Sequence, residues 1–158
     1  MAAQPEDHPA VAVFDEIARI DNHVRANIGR RLPPGMSFAQ YEVVRLLERR
    51  GDGQTPAEIA RALGVAKSGL TNTLQRLEGG GYVQVEPCGE DARKKRVWLT
   101  PHGRETYGRT IVGVRPRMDR LREAFTWDEF REVLPFLKAL RTFLEEGDLP
   151  VGLSALPR

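Results

Sequence analysis

Two stretches of this chain carry side chains whose types and spacing could do chemistry, and both suit the recognition of a polyanion rather than a reaction. The first is Lys67-Ser68-Gly69-Leu70-Thr71-Asn72-Thr73-Leu74-Gln75-Arg76. On a helix, Lys67, Ser68, Thr71, Asn72, Gln75 and Arg76 share one polar face, and Leu70, Leu74 and Leu77 form the opposite apolar face. Asn and Gln amides pair bidentately with adenine, and an Arg guanidinium pairs with guanine or a phosphate. Ser and Thr hydroxyls bond phosphates or bases. The second stretch is Asp91-Ala92-Arg93-Lys94-Lys95-Arg96, with one acid and four bases in six residues. Its local charge of +3 exceeds the +2 of the whole chain. Four adjacent cations repel one another in water, whereas a phosphate backbone stabilises them through counterion release.

The elements that must position these residues follow from periodicity and punctuation. Val13, Ile17, Ile20, Val24 and Ile28 mark one face of a first helix, which "RRLPPG" ends. Ser37 stands three residues before Gln40, a capping-box spacing, and Phe38, Tyr41, Val44 and Leu47 give the second helix its apolar face. After the break "GDGQ", Thr55, Pro56 and Glu58 supply an N-cap, a first-turn proline and a second capping box. Ile59, Ala60 and Leu63 face inward, and Gly64 is the expected left-handed terminator of a helix of two to three turns. The polar-faced helix runs from Lys67 to Glu78 and stops at Gly79-Gly80-Gly81. The period then drops to two, so that Tyr82 to Val85 and Arg96 to Leu99 read as strands with the basic run at the hairpin tip between them.

Beyond Thr100-Pro101, the residues Tyr107, Ile111, Val114, Met118, Leu121 and Phe125 form a long narrow apolar seam. Thr126 and Glu129 repeat the capping box ahead of Phe130, Leu134, Leu137, Leu140 and Leu144. Pro116 and Pro135 lie inside these two helices and predict kinks, and the tail after Gly147 is expected to be loose.

Helix, tight turn, helix and β-hairpin in that order make a winged helix-turn-helix, whose second helix enters the major groove of DNA while the first braces it. The narrow hairpin tip suits the adjacent minor groove, whose negative potential attracts arginine. The expected DNA contacts are Ser37, Thr55, Lys67, Ser68, Thr71, Asn72, Gln75, Arg76, Asp91, Arg93, Lys94 and Lys95.

The chain resembles the multiple-antibiotic-resistance regulator (MarR) family of bacterial transcription factors from about Val11 to Leu144. The resemblance rests on Asp91-x-Arg93, on Leu99-Thr100 with Pro101-x-Gly103-Arg104-Glu105, and on "IARALGVAKSGLTNTLQRLEGGGYV". It implies a mainly α fold with a small β-hairpin wing: a DNA-binding lobe over residues 37–100 and dimerisation helices over 11–31 and 101–146, in one domain of 158 residues. By the same resemblance Arg93 is the wing arginine that enters the minor groove and Asp91 is the acid that holds it out. The implied protein is a homodimeric, ligand-responsive regulator, expected to be a repressor. It binds double-stranded DNA at a pseudo-palindromic operator and answers to a small aromatic or phenolic effector. The chain departs from the family at Ala66, where many relatives have a capping serine, at Lys94, where a small residue is common, and in its triple glycine.

Other functions are weighed against this one. No glycine-rich phosphate loop, nucleophile elbow or cysteine–histidine pair supports an enzyme. His8, His23 and His102 lack a metal-ligand spacing, so no metal or other cofactor is expected. The single cysteine, Cys88, excludes an internal disulfide framework and fits a cytoplasmic protein; it makes a thiol-oxidation sensor of the same fold the alternative reading. A winged-helix module for protein interaction is a second alternative, which the four-base tip disfavours. Asp21, His23 and Arg25 on the first helix are candidates for an effector cleft, although a solvated face is the simpler assignment. Arg115, Arg117, Arg120 and Arg122 read as a solvated face too. No apolar run approaches the ~20 residues of a membrane span, and the N-terminus is not a secretory signal.

Overall fold

The computed structural model describes residues 8–88 and 91–146. Six helices and one hairpin follow in the order α1 (Pro9–Gly29), α2 (Phe38–Arg50), α3 (Pro56–Leu63), α4 (Lys67–Gly79), β1 (Val83–Cys88), β2 (Asp91–Leu99), α5 (Pro101–Leu121) and α6 (Trp127–Glu146). The fold is therefore mainly α with a small β-hairpin wing. It divides into two compact units after Val114. No described helix is long and apolar enough to cross a membrane.

Local capping sets the helix starts. Ser37 Oγ accepts the Gln40 N–H at 3.3 Å, and Gln40 Oε1 accepts the Ser37 N–H at 2.8 Å. Thr55 and Glu58 repeat this reciprocal pair at 3.3 and 2.7 Å, and Thr126 with Glu129 does so at 3.2 and 2.7 Å. Each pair satisfies donors that a helix leaves without partners. In the last two pairs the glutamate carboxylate accepts both the backbone N–H and the hydroxyl of the threonine cap, which holds the Glu58 and Glu129 carboxyls below the usual range, because accepting a hydrogen bond favours the ionised form. Gly64, at φ 65° and ψ 31°, closes α3 in the left-handed conformation that costs glycine least. The first helix begins earlier than its apolar face suggests: Pro9 occupies the first turn and His8 Nδ1 accepts the Ala10 N–H. Helices α5 and α6 continue through Pro116 and Pro135.

The core of the first unit lies beneath the helix-turn-helix. Tyr41, Val43, Val44 and Leu47 from α2 meet Ile59 and Ala60 from α3, Leu70, Leu74 and Leu77 from α4, and Val83, Val97 and Leu99 from the wing. Tyr107 of α5 stacks on Tyr41 with ring centroids 6.3 Å apart. Strands β1 and β2 are antiparallel, with Val83 opposite Leu99 and Val85 opposite Val97, so that alternate side chains enter this core. A further bridge joins Gln54 to Val97. The segment read as a break in the sequence thus adds a third strand-like rung to the wing.

Two joints connect α5 to the lobe. Arg104 pairs with Glu48 at 2.6 Å and with Asp52, whose Oδ2 also accepts the Leu99 N–H at 3.2 Å. Thr100 Oγ1 donates within reach of the Gly81 carbonyl at 2.6 Å and accepts the Gly103 N–H at 3.0 Å. Just after α1, Arg31 donates to the Asn27 carbonyl and side-chain oxygens at 2.8 and 2.6 Å and to the Gly113 carbonyl of α5.

In contrast to this core, most apolar residues of α1 lie at the surface: Val13, Phe14, Ile17, Ile20 and Val24 are all exposed. Within the second unit, Phe125, Phe130, Val133, Leu134, Phe136, Leu137, Phe143 and Leu144 are exposed as well, and Ala139 is buried.

Candidate nucleic-acid interface

Helix α4 presents the face that its sequence spacing predicts. Leu70, Leu74 and Leu77 are buried, and Lys67, Ser68, Thr71, Asn72, Gln75 and Arg76 are all exposed. The Thr71 hydroxyl donates to the Lys67 carbonyl at 3.0 Å, which leaves its oxygen able to accept. Among the described residues, the Asn72 and Gln75 amides bond no other side chain, and Lys67 and Arg76 enter no ion pair. The helix starts at Ala66 without a side-chain cap, so its first N–H groups point outward unpaired by any hydroxyl. Such an end carries partial positive charge and accommodates an anion.

Two flanking positions are brought to neighbouring helix starts. Ser37 is exposed at the N-terminus of α2 and Thr55 is half-buried at that of α3, each engaged in the capping described above.

The wing differs from its sequence reading in one respect. The strand begins before Arg96: Arg93, Lys94 and Lys95, read as a tip, also lie within β2, and Lys95 pairs opposite Pro87. A run of four charges shows no alternation, so its strand character comes from pairing with β1 rather than from its own pattern. The side chains of Asp91, Arg93 and Lys94 lie outside the described residues, and with them the expected Asp91–Arg93 pair. Lys95 is exposed. Arg96 is turned to the protein instead: its guanidinium donates to the Gly53 carbonyl at 2.5 Å and to Cys88 Sγ at 3.3 Å. The contact with sulfur favours the charged guanidinium and raises the pKa of Arg96. Glu78 holds the other edge of the hairpin, accepting the Val85 N–H at 3.1 Å.

The remaining sequence candidates are placed elsewhere. Asp21 and Arg25 pair with each other at 2.5 Å, and the Arg25 guanidinium lies 4.6 Å from the Phe38 ring centroid. His102 stacks on Tyr82 at 4.7 Å. The described residues contain no group of three or more metal-ligating side chains. Sequence reasoning missed Arg96 as a wing brace and Arg104 as the joint to α5, since both depend on partners more than forty residues away.

Residues 35–94, which span α2 to the start of the wing's second strand, match the MarR family. The chain is similar to solved structures over most of its length. A cysteine-to-serine mutant of MarR from E. coli, complexed with operator DNA, shares 23% identity, covering 87% of this chain and 99% of that one at a TM-score of 0.73. The transcriptional repressor CouR, bound to a 23-mer DNA duplex, shares 26% identity over 89% of this chain and 99% of that one, TM-score 0.71. MarR of Staphylococcus aureus, in complex with salicylate and kanamycin, shares 21% identity over 84% of this chain and 88% of that one, TM-score 0.69.

Proposed function

We propose that this chain, whose residues 35–94 match the MarR family of transcriptional regulators, binds duplex DNA as a homodimer and represses transcription until a small aromatic or phenolic effector releases it. The observation that carries this reading is the polar face of α4. Six polar side chains stand exposed over three buried leucines, at an uncapped helix start beside a basic strand. In this reading Asn72 and Gln75 meet base edges, and Lys67, Ser68, Thr71 and Arg76 hold phosphates or bases. Ser37 and Thr55 bring the starts of α2 and α3 to the backbone. Arg93 enters the minor groove, oriented by Asp91, and Lys94 and Lys95 neutralise phosphates. The operator is a pseudo-palindrome with half-sites about one helical turn apart, because a twofold dimer presents its recognition helices on one face of the duplex.

The exposed apolar faces of α1 and of α6 support the dimer. Ile20 is 60% and Leu144 63% exposed, and apolar side chains exposed along a helix face suit an interface. An effector acts by favouring a spacing of recognition helices that no longer matches one turn of DNA. A coupling of about 1–3 kcal/mol releases DNA 5–150-fold. The salicylate complex of the S. aureus protein supports an aromatic acid as the effector class.

The test is binding of Asn72→Ala, Arg93→Ala and Asp91→Ala to a duplex footprinted in the protein's own promoter and to random duplex, across a salt series. Asn72→Ala is expected to cost about 1–3 kcal/mol on the footprinted site and much less on random DNA. Arg93→Ala should weaken both and reduce the salt slope by about one, with Asp91→Ala a milder version. Unchanged affinity for both duplexes in the Asn72 and Arg93 variants would overturn the assignment.

A further inference from the structure

The charges of the lobe gather in a second place. Between the second half of α2 and the end of α3 lies a cleft of about 400 Å³ lined by Arg45, Leu46, Arg49, Arg50, Ala62 and Leu63. That volume falls within the range of small-ligand sites. Its apolar lining comes from Leu46, which is buried, Leu63, which is half-buried, and Ala62. Three guanidiniums surround it. Arg45 has a long ion pair with Glu42 at 3.4 Å, and among the described residues Arg49 and Arg50 have none.

Helix formation does not require this arrangement. Arg45 and Arg49 are four residues apart on α2, a spacing at which like charges repel. One cation near the end of α2 is explained by the helix dipole, which places about half a negative charge there. Three are not. With the Glu42 carboxylate subtracted as well, a surplus of about one and a half positive charges remains around a partly apolar cleft. A phosphate monoester carries about −1.5 to −2 near neutral pH. Guanidinium forks also match its oxygens bidentately.

We propose that the α2–α3 cleft is a binding site for a small phosphate monoester with an apolar or aromatic body, its phosphate held by Arg45, Arg49 and Arg50 and its body against Leu46, Ala62 and Leu63. None of its lining residues belongs to the polar face of α4 or to the Asp21, His23 and Arg25 group on α1. Binding there can be measured whether or not the protein regulates transcription.

Phenyl phosphate is the probe, titrated into the full-length protein by calorimetry and by amide chemical-shift mapping. Benzoate keeps the ring and replaces the head group; inorganic phosphate keeps the head group and omits the ring. Phenyl phosphate should bind at least tenfold more tightly than either, with shifts centred on α2 residues 45–50 and on Ala62 and Leu63. Arg49→Ala with Arg50→Ala should weaken it at least tenfold. Ala62→Trp, which fills the cleft without touching a charge, should do the same while leaving DNA affinity unchanged. Equal affinities for the three ligands, or undiminished binding in both variants, would overturn the proposal. So would failure of phenyl phosphate to bind together with weakened DNA binding in the double arginine variant, because the cleft would then be part of the duplex track.

Discussion

Gly103→Ala tests how the start of α5 is joined to the lobe. A Cβ at this position would stand 2.2 Å from the Tyr82 carbonyl oxygen and 3.1 Å from Leu99 Cδ2. A carbon and a carbonyl oxygen approach comfortably at about 3.3 Å, so the helix start would have to move about 1 Å. The atoms it would move away from are the ones that hold it. Thr100 N–H donates to the Tyr82 carbonyl at 3.2 Å, and Thr100 Oγ1 lies 2.6 Å from the Gly81 carbonyl. Overpacking costs about 1–3 kcal/mol and each lost hydrogen bond about 0.5–1.5 kcal/mol. The better helix propensity of alanine returns about 1 kcal/mol. With both hydrogen bonds lost, the net expectation is a loss of roughly 1–5 kcal/mol. Gly108 on the same helix is the control, since a Cβ there meets nothing within 4 Å and Gly108→Ala should gain about 0.5–1 kcal/mol. Urea unfolding at one protein concentration, with equal slopes for the two variants, reads the difference. If Gly103→Ala proves as stable as Gly108→Ala, the close approach of α5 to Tyr82 is not a feature of the folded protein.

Thr55→Ala should lower stability by about 1 kcal/mol, seen as a fall in Tm of about 2–4 °C. Glu58 has a folded pKa below its unfolded value, so its contribution is full above about pH 5 and is lost as pH falls through the folded value; the Tm gap between wild type and Glu58→Gln should therefore close in acid. Ala66→Ser should stabilise the protein by about 0.5–1 kcal/mol in urea unfolding by supplying the side-chain cap that α4 lacks. Replacing Leu137 and Leu140 together with aspartate should yield monomers or insoluble protein by light scattering, and an unmodified chain that is monomeric at micromolar concentration would refute the dimer.

What the sequence made legible was local in origin. The caps Ser37–Gln40, Thr55–Glu58 and Thr126–Glu129 each involve residues three apart, and all three form reciprocally. Gly64 needed only its own backbone preference, and the face of α4 needed only the helical period. The features that escaped depend on distant partners. Arg93 to Lys95 read as a tip because nothing in a run of cations announces pairing with Pro87. Gln54 read as part of a break, yet it bridges Val97. Gly103 stood in a recognisable motif, but the reason for it, the Tyr82 carbonyl, lies across the wing. The α2–α3 cleft was not legible because Arg49 and Arg50 meet Ala62 and Leu63 only when α3 packs on α2.

The same distinction explains why a net charge of +2 says little about this chain. Its cations do different work according to what stands beside them. Arg104 is committed to Glu48 and Asp52, and Arg96 to the Gly53 carbonyl and Cys88, so both hold the wing in register. Neither side chain can leave for a phosphate without leaving an internal acceptor unpaired, which costs about 1–3 kcal/mol where the acceptor is buried. Lys67, Arg76 and Lys95 face no such cost, because each is exposed and enters no ion pair among the described residues. Salt should therefore act on them first. Added salt screens exposed charges and competes for phosphates, whereas the hydrogen bond from Arg96 to the buried Gly53 carbonyl is less affected. The lobe can thus keep its shape under ionic conditions that would weaken the proposed hold on DNA.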